Sequence, residues 1–149
     1  PKDLPDSYFF SDIVPPDRLD EVLPQADVVF VAAPLTPESE RMIGARQFEL
    51  MKKGAYFIAV SRGRLYDKQA LVKALDSRKL AGAGLDVTDP EPLPKGEALW
   101  NFPNVVITPH IASAAEGSNR RRIGVIEDNI RRFSKGEPLT HVVNKQIGY

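Results

Sequence analysis

The sequence contains no cysteine and no long hydrophobic run. Without cysteine the chain cannot form a disulfide bond or a thiolate metal site, and such a composition is typical of a reducing, cytoplasmic setting. No apolar run approaches the roughly 18 residues that a membrane-spanning helix requires, and no signal-peptide pattern opens the chain. We therefore expect a cytoplasmic protein without a membrane partner.

The chain also lacks an excess of charge of either sign. Its 20 lysine and arginine residues balance its 20 aspartate and glutamate residues, so the formal net charge is zero. Nucleic-acid-binding domains usually carry a basic excess, so this balance argues against a nucleic-acid partner and favours a small molecule. The three arginines at 120–122 are the one basic run, and we expect them to form a solvated helix face or a surface that meets another domain. We find no metal-ligand spacing.

The 149 residues, of which 42% are hydrophobic and 27% charged, suit one folded domain. The pattern of the opening residues predicts a loop, and the first of them is Pro1 rather than methionine. We therefore expect the natural start to lie upstream and the chain to be a fragment.

Short β-branched runs alternate with helical patterns, which predicts an α/β fold with a parallel sheet. The predicted strands are 28–32, 55–60, 81–87 and 105–108. The first strand is apolar throughout, which is typical of a strand covered on both faces. The predicted helices start at Pro16, at Ala45 (to Lys53, before Gly54), at the N-cap Asp67, and at a Ser113–Glu116 capping box that opens a long helix over about 113–135.

Polar or tightly turned segments follow all four predicted strands. Ligands of open parallel sheets bind beyond the carboxyl ends of the strands, where loops form a crevice. An arginine, two carboxylates and a histidine come to this edge, as Arg62, Asp86, Glu91 and His110. Such a set can hold an anionic substrate and move a proton.

Four segments, in this order and at these separations, resemble the D-isomer-specific 2-hydroxyacid dehydrogenases in their C-terminal part. They are Ala33-Pro34-Leu35-Thr36, Val60-Ser61-Arg62-Gly63 running on to Asp67, Gly84-Leu85-Asp86-Val87 with Asp89-Pro90-Glu91-Pro92, and Asn104-Val105 continuing to Pro109-His110-Ile111-Ala112-Ser113. Any one of them alone would be weak evidence.

The resemblance implies a Rossmann-like, doubly wound parallel sheet that is incomplete here. Residues 1–149 would be the C-terminal part of the dinucleotide-binding domain, and the first glycine-rich βαβ unit and the substrate domain would be absent. Gly82-Ala83-Gly84 does not replace that glycine-rich turn, because it lacks a third glycine at position 87 and begins a strand. The long helix and the tail would pack on the missing substrate domain, and the full-length protein would be a homodimer.

The resemblance also assigns three catalytic roles. Arg62 would bind the substrate carboxylate with its planar fork, and His110 would exchange the proton. Glu91 would pair with the histidine and orient it. The alternative readings are a surface arginine, a structural histidine and a solvated loop glutamate. The carboxylate at Glu91 argues against the formate dehydrogenase branch, which carries an amide there.

The cofactor implied by the resemblance is NAD or NADP. The residues expected to contact it are Ala33, Pro34, Val60, Ser61, Asp86, His110, Ala112 and Ser113. Two of them have a structural alternative, since Asp86 could cap a loop and Ser113 could cap the long helix. Outside this set, we expect Trp100 to lie in the core and His141 to be structural.

The implied activity is the NAD(P)-dependent interconversion of a small 2-oxo acid and its D-2-hydroxy acid, as in a glyoxylate or hydroxypyruvate reductase. Two alternatives remain at this point. The same fold and motifs occur in nucleotide-sensing corepressors, which are binding modules, and the chain could also be an inactive fragment. The small 2-oxo or 2-hydroxy acid is the expected partner.

Overall fold

The computed structural model describes residues 12–114 and 117–146. Within them, four parallel strands form one sheet in the order β1-β2-β3-β4. The strands are β1 (Val28–Val31), β2 (Ala55–Ala59), β3 (Leu80–Leu85) and β4 (Val105–Ile107). Helices α1 (Leu19–Val22), α2 (Ala45–Leu50) and α3 (Lys68–Asp76) precede or connect them, and α4 (Ser118–Ser134) follows the sheet. The α/β architecture and the four strands predicted from the sequence are confirmed.

Helix α3 follows the local signals in its sequence. The Asp67 carboxylate accepts a hydrogen bond from the Ala70 N–H at 2.9 Å, so it caps the helix as expected. Helix α2 is shorter than predicted and ends at Leu50, because Met51 leaves the helical conformation and buries its side chain in the core. Gly54, with a φ of 84°, makes the turn into β2.

The hydrophobic core lies between one face of the sheet and helices α2 and α3. Phe57, at the centre of β2, is fully buried. Its ring meets Phe48 of α2 and Tyr66 edge-on, with ring centroids 5.1 and 5.3 Å apart. Leu71 and Leu75 of α3 are also buried. This packing holds the connections between the strands in place and so fixes the loops at their carboxyl ends.

The other face of the sheet is exposed among the residues that the structure describes. Val28 and Phe30 of β1 are 45% and 66% exposed, and they pair in register with Tyr56 and Ile58 of β2. The expectation that β1 is covered on both faces is therefore wrong for this chain. Its residues are apolar on both faces, but α2 and α3 cover only one of them.

The long helix α4 begins later than predicted. Gly117 precedes it with a φ of 77° and no side-chain cap, so Ser113 does not cap this helix, and Glu116 lies outside the described residues. The chain turns first, because the Ala114 N–H donates to the Ile111 carbonyl at 2.8 Å. Gly136, with a φ of 69°, follows the end of this helix. Four apolar residues of α4 are exposed, namely Ile123, Ile126, Ile130 and Phe133.

Trp100 was expected in the core, but it is 51% exposed. It lies in the 3₁₀ turn Ala98–Asn101, in which Leu99 is the buried residue. The indole N–H of Trp100 donates to the Pro94 carbonyl at 2.9 Å. Gly82 and Gly84 lie inside β3, as predicted, and form no phosphate-binding turn.

Residues 12–114 and 117–146 contain no helix that is long and apolar enough to cross a membrane. The same residues hold no group of three or more His, Asp or Glu side chains that could bind a metal ion.

Candidate active site

Three loops meet at the carboxyl edge of the sheet, after β2, β3 and β4. Backbone hydrogen bonds join them in sequence: the Asp86 N–H donates to the Ala59 carbonyl at 2.9 Å, and the Thr108 N–H donates to the Leu85 carbonyl at 3.0 Å. The His110 N–H donates to the Asp86 carbonyl at 2.9 Å. The sheet hydrogen bonding thus continues beyond the strands and brings residues distant in sequence to one place.

His110 and Glu91 form a side-chain pair in this crevice. The histidine Nδ1 lies 2.8 Å from Oε1 of the glutamate, and both side chains are partly exposed. The carboxylate occupies Nδ1, which leaves Nε2 as the ring nitrogen able to exchange a proton with a bound molecule. The structure therefore brings together two of the three residues predicted to be catalytic, in the geometry of a carboxylate-oriented acid and base.

The backbone of His110 adopts a left-handed conformation, with a φ of 54°. A non-glycine residue in this conformation costs about 1–3 kcal/mol, although histidine tolerates it better than most. Its N–H group is held by the carbonyls of Asp86 at 2.9 Å and Thr108 at 3.1 Å. The surrounding loop therefore imposes a conformation that aims the ring toward Glu91.

The side chain of Asp86 holds the loop that carries His110. Its Oδ1 accepts hydrogen bonds from the Thr108 hydroxyl at 2.5 Å and the Ile111 N–H at 2.9 Å, and its Oδ2 accepts one from the Ala112 N–H at 2.7 Å. The residue is only 6% exposed. Burial opposes ionisation, but these hydrogen bonds, together with the charge of His110, outweigh it and hold the pKa of Asp86 below its ordinary value.

Acid should remove the stabilisation that Asp86 contributes. Because the pKa of Asp86 is lower in the folded protein, this contribution is complete above the unfolded pKa of about 3.9 and is lost as the pH falls through the folded pKa. At pH 7 we expect Asp86→Asn to lower the free energy of unfolding by about 1.5–3 kcal/mol. Urea unfolding should show that this deficit shrinks below about pH 4. A deficit that stays constant down to pH 3 would contradict the assignment.

Gly63 lets the arginine loop approach the loop after β3. A Cβ atom built on Gly63 would lie 2.1 Å from the carbonyl carbon and oxygen of Thr88, which is far inside contact distance. Any side chain here would push the two backbones apart. The neighbouring Arg62 is exposed, and its Nη1 donates to the Ser61 carbonyl at 2.7 Å. Gly63 thus places Arg62 beside the loop that leads to Glu91.

Replacing Gly63 by alanine should destabilise the protein, because neither backbone can yield without moving a loop. We expect the free energy of unfolding to fall by about 1–3 kcal/mol or more. Gly124→Ala is the matched control, since Gly124 has open space around its Cβ position and alanine favours its helix by about 0.5–1 kcal/mol. Equal stabilities of the two variants in urea unfolding would contradict the close approach.

The residues predicted to contact a cofactor lie along the same edge. The Ser61 hydroxyl donates to the Ala33 carbonyl at 2.5 Å, and the Val60 N–H donates to the Val31 carbonyl at 3.1 Å. Pro34 and Ala112 are exposed in the loops after β1 and β4, and Ser113 is exposed in the turn before α4. The side chain of Ser61 thus ties the ends of β1 and β2 together.

Two residues of this site were missed in the sequence. Thr108 is one, through its hydrogen bond to Asp86. The other is Tyr66, whose buried hydroxyl donates to the Val87 carbonyl at 2.9 Å. Burial raises the pKa of Tyr66, and the negative charges of Asp89 and Glu91 add to the effect. Each of these two hydrogen bonds joins residues more than twenty positions apart in the sequence, so local sequence patterns do not reveal it.

A cavity of about 520 Å³ lies against Glu91 and Asp86, and its lining includes neither His110 nor Arg62. Leu93, Trp100 and Ile107 contribute its apolar walls, and Glu91 and Thr108 contribute polar groups. A site of this kind, apolar with a few polar groups at fixed positions, suits a small organic ligand.

Comparison with known proteins identifies the family of this chain. Residues 5–112 match the family model described as D-isomer specific 2-hydroxyacid dehydrogenase, NAD binding domain. The glyoxylate reductase of Korarchaeum cryptofilum is 39% identical over 129 residues, which are 87% of this chain and 39% of the relative. The hydroxypyruvate reductase of Blautia hydrogenotrophica is 42% identical over 128 residues, which are 86% of this chain and 39% of the relative. The chain thus spans about two fifths of the length of these curated relatives.

Solved structures show the same fold. The D-isomer specific 2-hydroxyacid dehydrogenase of Xanthobacter autotrophicus, in complex with NADPH and MES, is 41% identical with a TM-score of 0.81, over 89% of this chain and 54% of that one. The NADPH-dependent glyoxylate/hydroxypyruvate reductase of Sinorhizobium meliloti, in complex with NADP and sulfate, is 36% identical with a TM-score of 0.80, over 89% of this chain and 43% of that one. The Rossmann-like fold expected from the sequence is confirmed. This chain belongs to the D-isomer specific 2-hydroxyacid dehydrogenase family, and residues 5–112 match its NAD-binding domain.

Proposed function

We propose that the protein carrying this chain is an NAD(P)-dependent oxidoreductase that interconverts a small 2-oxo acid and its D-2-hydroxy acid. The observation that carries the proposal is the 2.8 Å contact between His110 and Glu91 at the carboxyl edge of the sheet. Relatives named glyoxylate reductase and hydroxypyruvate reductase support substrates of that size.

The residues at this edge fit a nicotinamide cofactor. A carboxylate has about four acceptor positions, and donors among the described residues occupy three of those of Asp86, which leaves one on Oδ2 for an amide N–H. We propose that Asp86, His110 and Ala112 lie by the nicotinamide, together with the exposed Ser113. The ends of β1 and β2 would hold the rest of the cofactor through Ala33, Pro34, Val60 and Ser61. When bound, the cofactor supplies or accepts the hydride.

Arg62 binds the carboxylate of the substrate in this proposal. Its exposed guanidinium can make two parallel charge-assisted hydrogen bonds to a carboxylate, or to one carboxylate oxygen and the adjacent carbonyl. This contact orients the reacting carbonyl toward His110.

His110 is the proton donor in reduction and the acceptor in oxidation. As the carbonyl carbon gains a hydride, the proton on Nε2 passes to the carbonyl oxygen and the product is the 2-hydroxy acid. Glu91 holds Nδ1 and so fixes which nitrogen faces the substrate. Its negative charge also stabilises the imidazolium that the oxidation direction forms.

We also propose that α4 and the tail pack against a separate substrate domain. The exposed isoleucines of α4 and its Phe133, which is 78% exposed, support a further packing partner for this helix. The homodimer and the cytoplasmic location remain predictions from the sequence.

The proposal is tested with the protein in its full encoded length. Mixed with NADPH or NADH, it should reduce glyoxylate or hydroxypyruvate, seen as loss of the absorbance of the reduced cofactor. Acetaldehyde, which lacks the carboxylate that Arg62 binds, should be a far poorer substrate. Cofactor binding without reduction of either 2-oxo acid would contradict the proposal and favour a nucleotide-sensing binding module.

A further inference from the structure

One carboxylate organises the segment from Thr108 to Ala112 around His110. Asp86 receives hydrogen bonds from one side chain before the histidine and two backbone N–H groups after it. Its backbone carbonyl receives the N–H of His110 itself. The loop is therefore fixed on both sides of a residue whose φ, at 54°, lies outside the region that most side chains prefer.

We infer that Thr108 and Asp86 are positioning residues for His110, which they hold with Nε2 aimed at the substrate. This inference rests on the proposed function. Neither residue needs to touch the reacting carbonyl to act in this way. Their effect passes through the backbone of residues 108–112 to the imidazole ring.

The Thr108 hydroxyl is the part of this arrangement that a substitution can remove most cleanly. It is 2.5 Å from Asp86 Oδ1, the oxygen that also accepts the Ile111 N–H. Valine has nearly the same shape as threonine but no hydroxyl, so Thr108→Val removes this hydrogen bond with little change in packing. Serine keeps the hydroxyl, so Thr108→Ser is the conservative variant.

Loss of the hydroxyl should affect turnover more than binding. A misplacement of about 1 Å in a catalytic group costs on the order of 100-fold in rate. We expect Thr108→Val to lower kcat about 10- to 100-fold, while the dissociation constant of NADPH and the KM of the 2-oxo acid change little. Thr108→Ser should keep most of kcat. Thr140→Val is the matched control outside the site, because the Thr140 hydroxyl donates to Oδ1 of Asn129 in α4 at 3.2 Å.

A second measurement reads the loop directly and does not depend on catalysis. Hydrogen exchange of the Ile111 and Ala112 amides should be slow in the wild-type protein and at least several-fold faster in Thr108→Val. If Thr108 only stabilised the fold, its substitution would not change both kcat and the exchange rates of these two amides.

The outcomes separate this inference from the proposed function. If the wild type is active and Thr108→Val keeps its kcat, the inference is overturned and the proposed function stands. Unchanged exchange of both amides in Thr108→Val would also overturn it. An inactive wild type overturns the proposed function, and the catalytic role of the two residues falls with it.

Discussion

Replacing His110 by asparagine should lower kcat for reduction of a 2-oxo acid by about 10² to 10⁴, the usual contribution of a positioned acid or base. Asparagine suits the test because it tolerates the left-handed backbone that His110 adopts, with its φ of 54°. The loop should therefore keep its shape, and the dissociation constant of the cofactor should stay close to that of the wild type.

The matched control is His141→Asn, which changes the chain's other histidine at a similar φ of 55°. His141 lies in the tail beyond α4, so kcat should be unaffected. A His110→Asn variant with wild-type kcat would remove histidine from the mechanism. A large loss in both variants would show that the effect is not specific to the site.

Replacing Arg62 by lysine should raise the KM of the 2-oxo acid about 10- to 150-fold. Lysine keeps the charge but cannot offer the planar pair of N–H groups, so one charge-assisted hydrogen bond of about 1.5–3 kcal/mol is lost. The affinity for the cofactor should not change, because the proposed partner of Arg62 is the substrate carboxylate.

Arg64→Lys is the control for this substitution. Arg64 is two residues away and is also exposed, but its guanidinium pairs with Glu40 at 2.8 Å. Steady-state kinetics on both variants separate the two roles. If Arg62→Lys and Arg64→Lys have the same KM as the wild type, Arg62 does not bind the substrate carboxylate.

The order of elements was predictable because each strand is a short apolar run bounded by turn residues. The predicted ends of β1, β2, β3 and β4 lie within two residues of the observed ends. The Asp67 cap was also predictable, because a cap and its helix are adjacent in sequence. The edge of the sheet where the candidate site lies followed from the general behaviour of parallel sheets.

Burial was less predictable, because it depends on which elements cover a surface. Phe30 belongs to an apolar run but lies on the face that α2 and α3 do not cover. In the turn around Trp100, the smaller Leu99 takes the core position. Ser113, which was expected to cap α4, lies instead in a turn closed by the Ala114 N–H and the Ile111 carbonyl, five residues before the helix begins.

The candidate site, like the fold, was predictable only in part. Its residue types and strand ends are visible in the sequence, so Arg62, Glu91 and His110 could be proposed. The hydrogen bonds of Thr108 and Tyr66 join residues 22 and 21 positions apart, and only the three-dimensional arrangement shows them. The close approach at Gly63 is likewise a property of two loops and not of either segment alone.

A crystal structure of the protein in its full encoded length, with NADPH and the unreactive 2-oxo acid analogue oxamate, would show whether Arg62 and His110 hold the same substrate. We expect the carboxylate of oxamate on the Arg62 guanidinium and its carbonyl oxygen within hydrogen-bond distance of His110 Nε2. Oxamate bound elsewhere, or an Arg62 and a His110 that face different sides of the molecule, would contradict it.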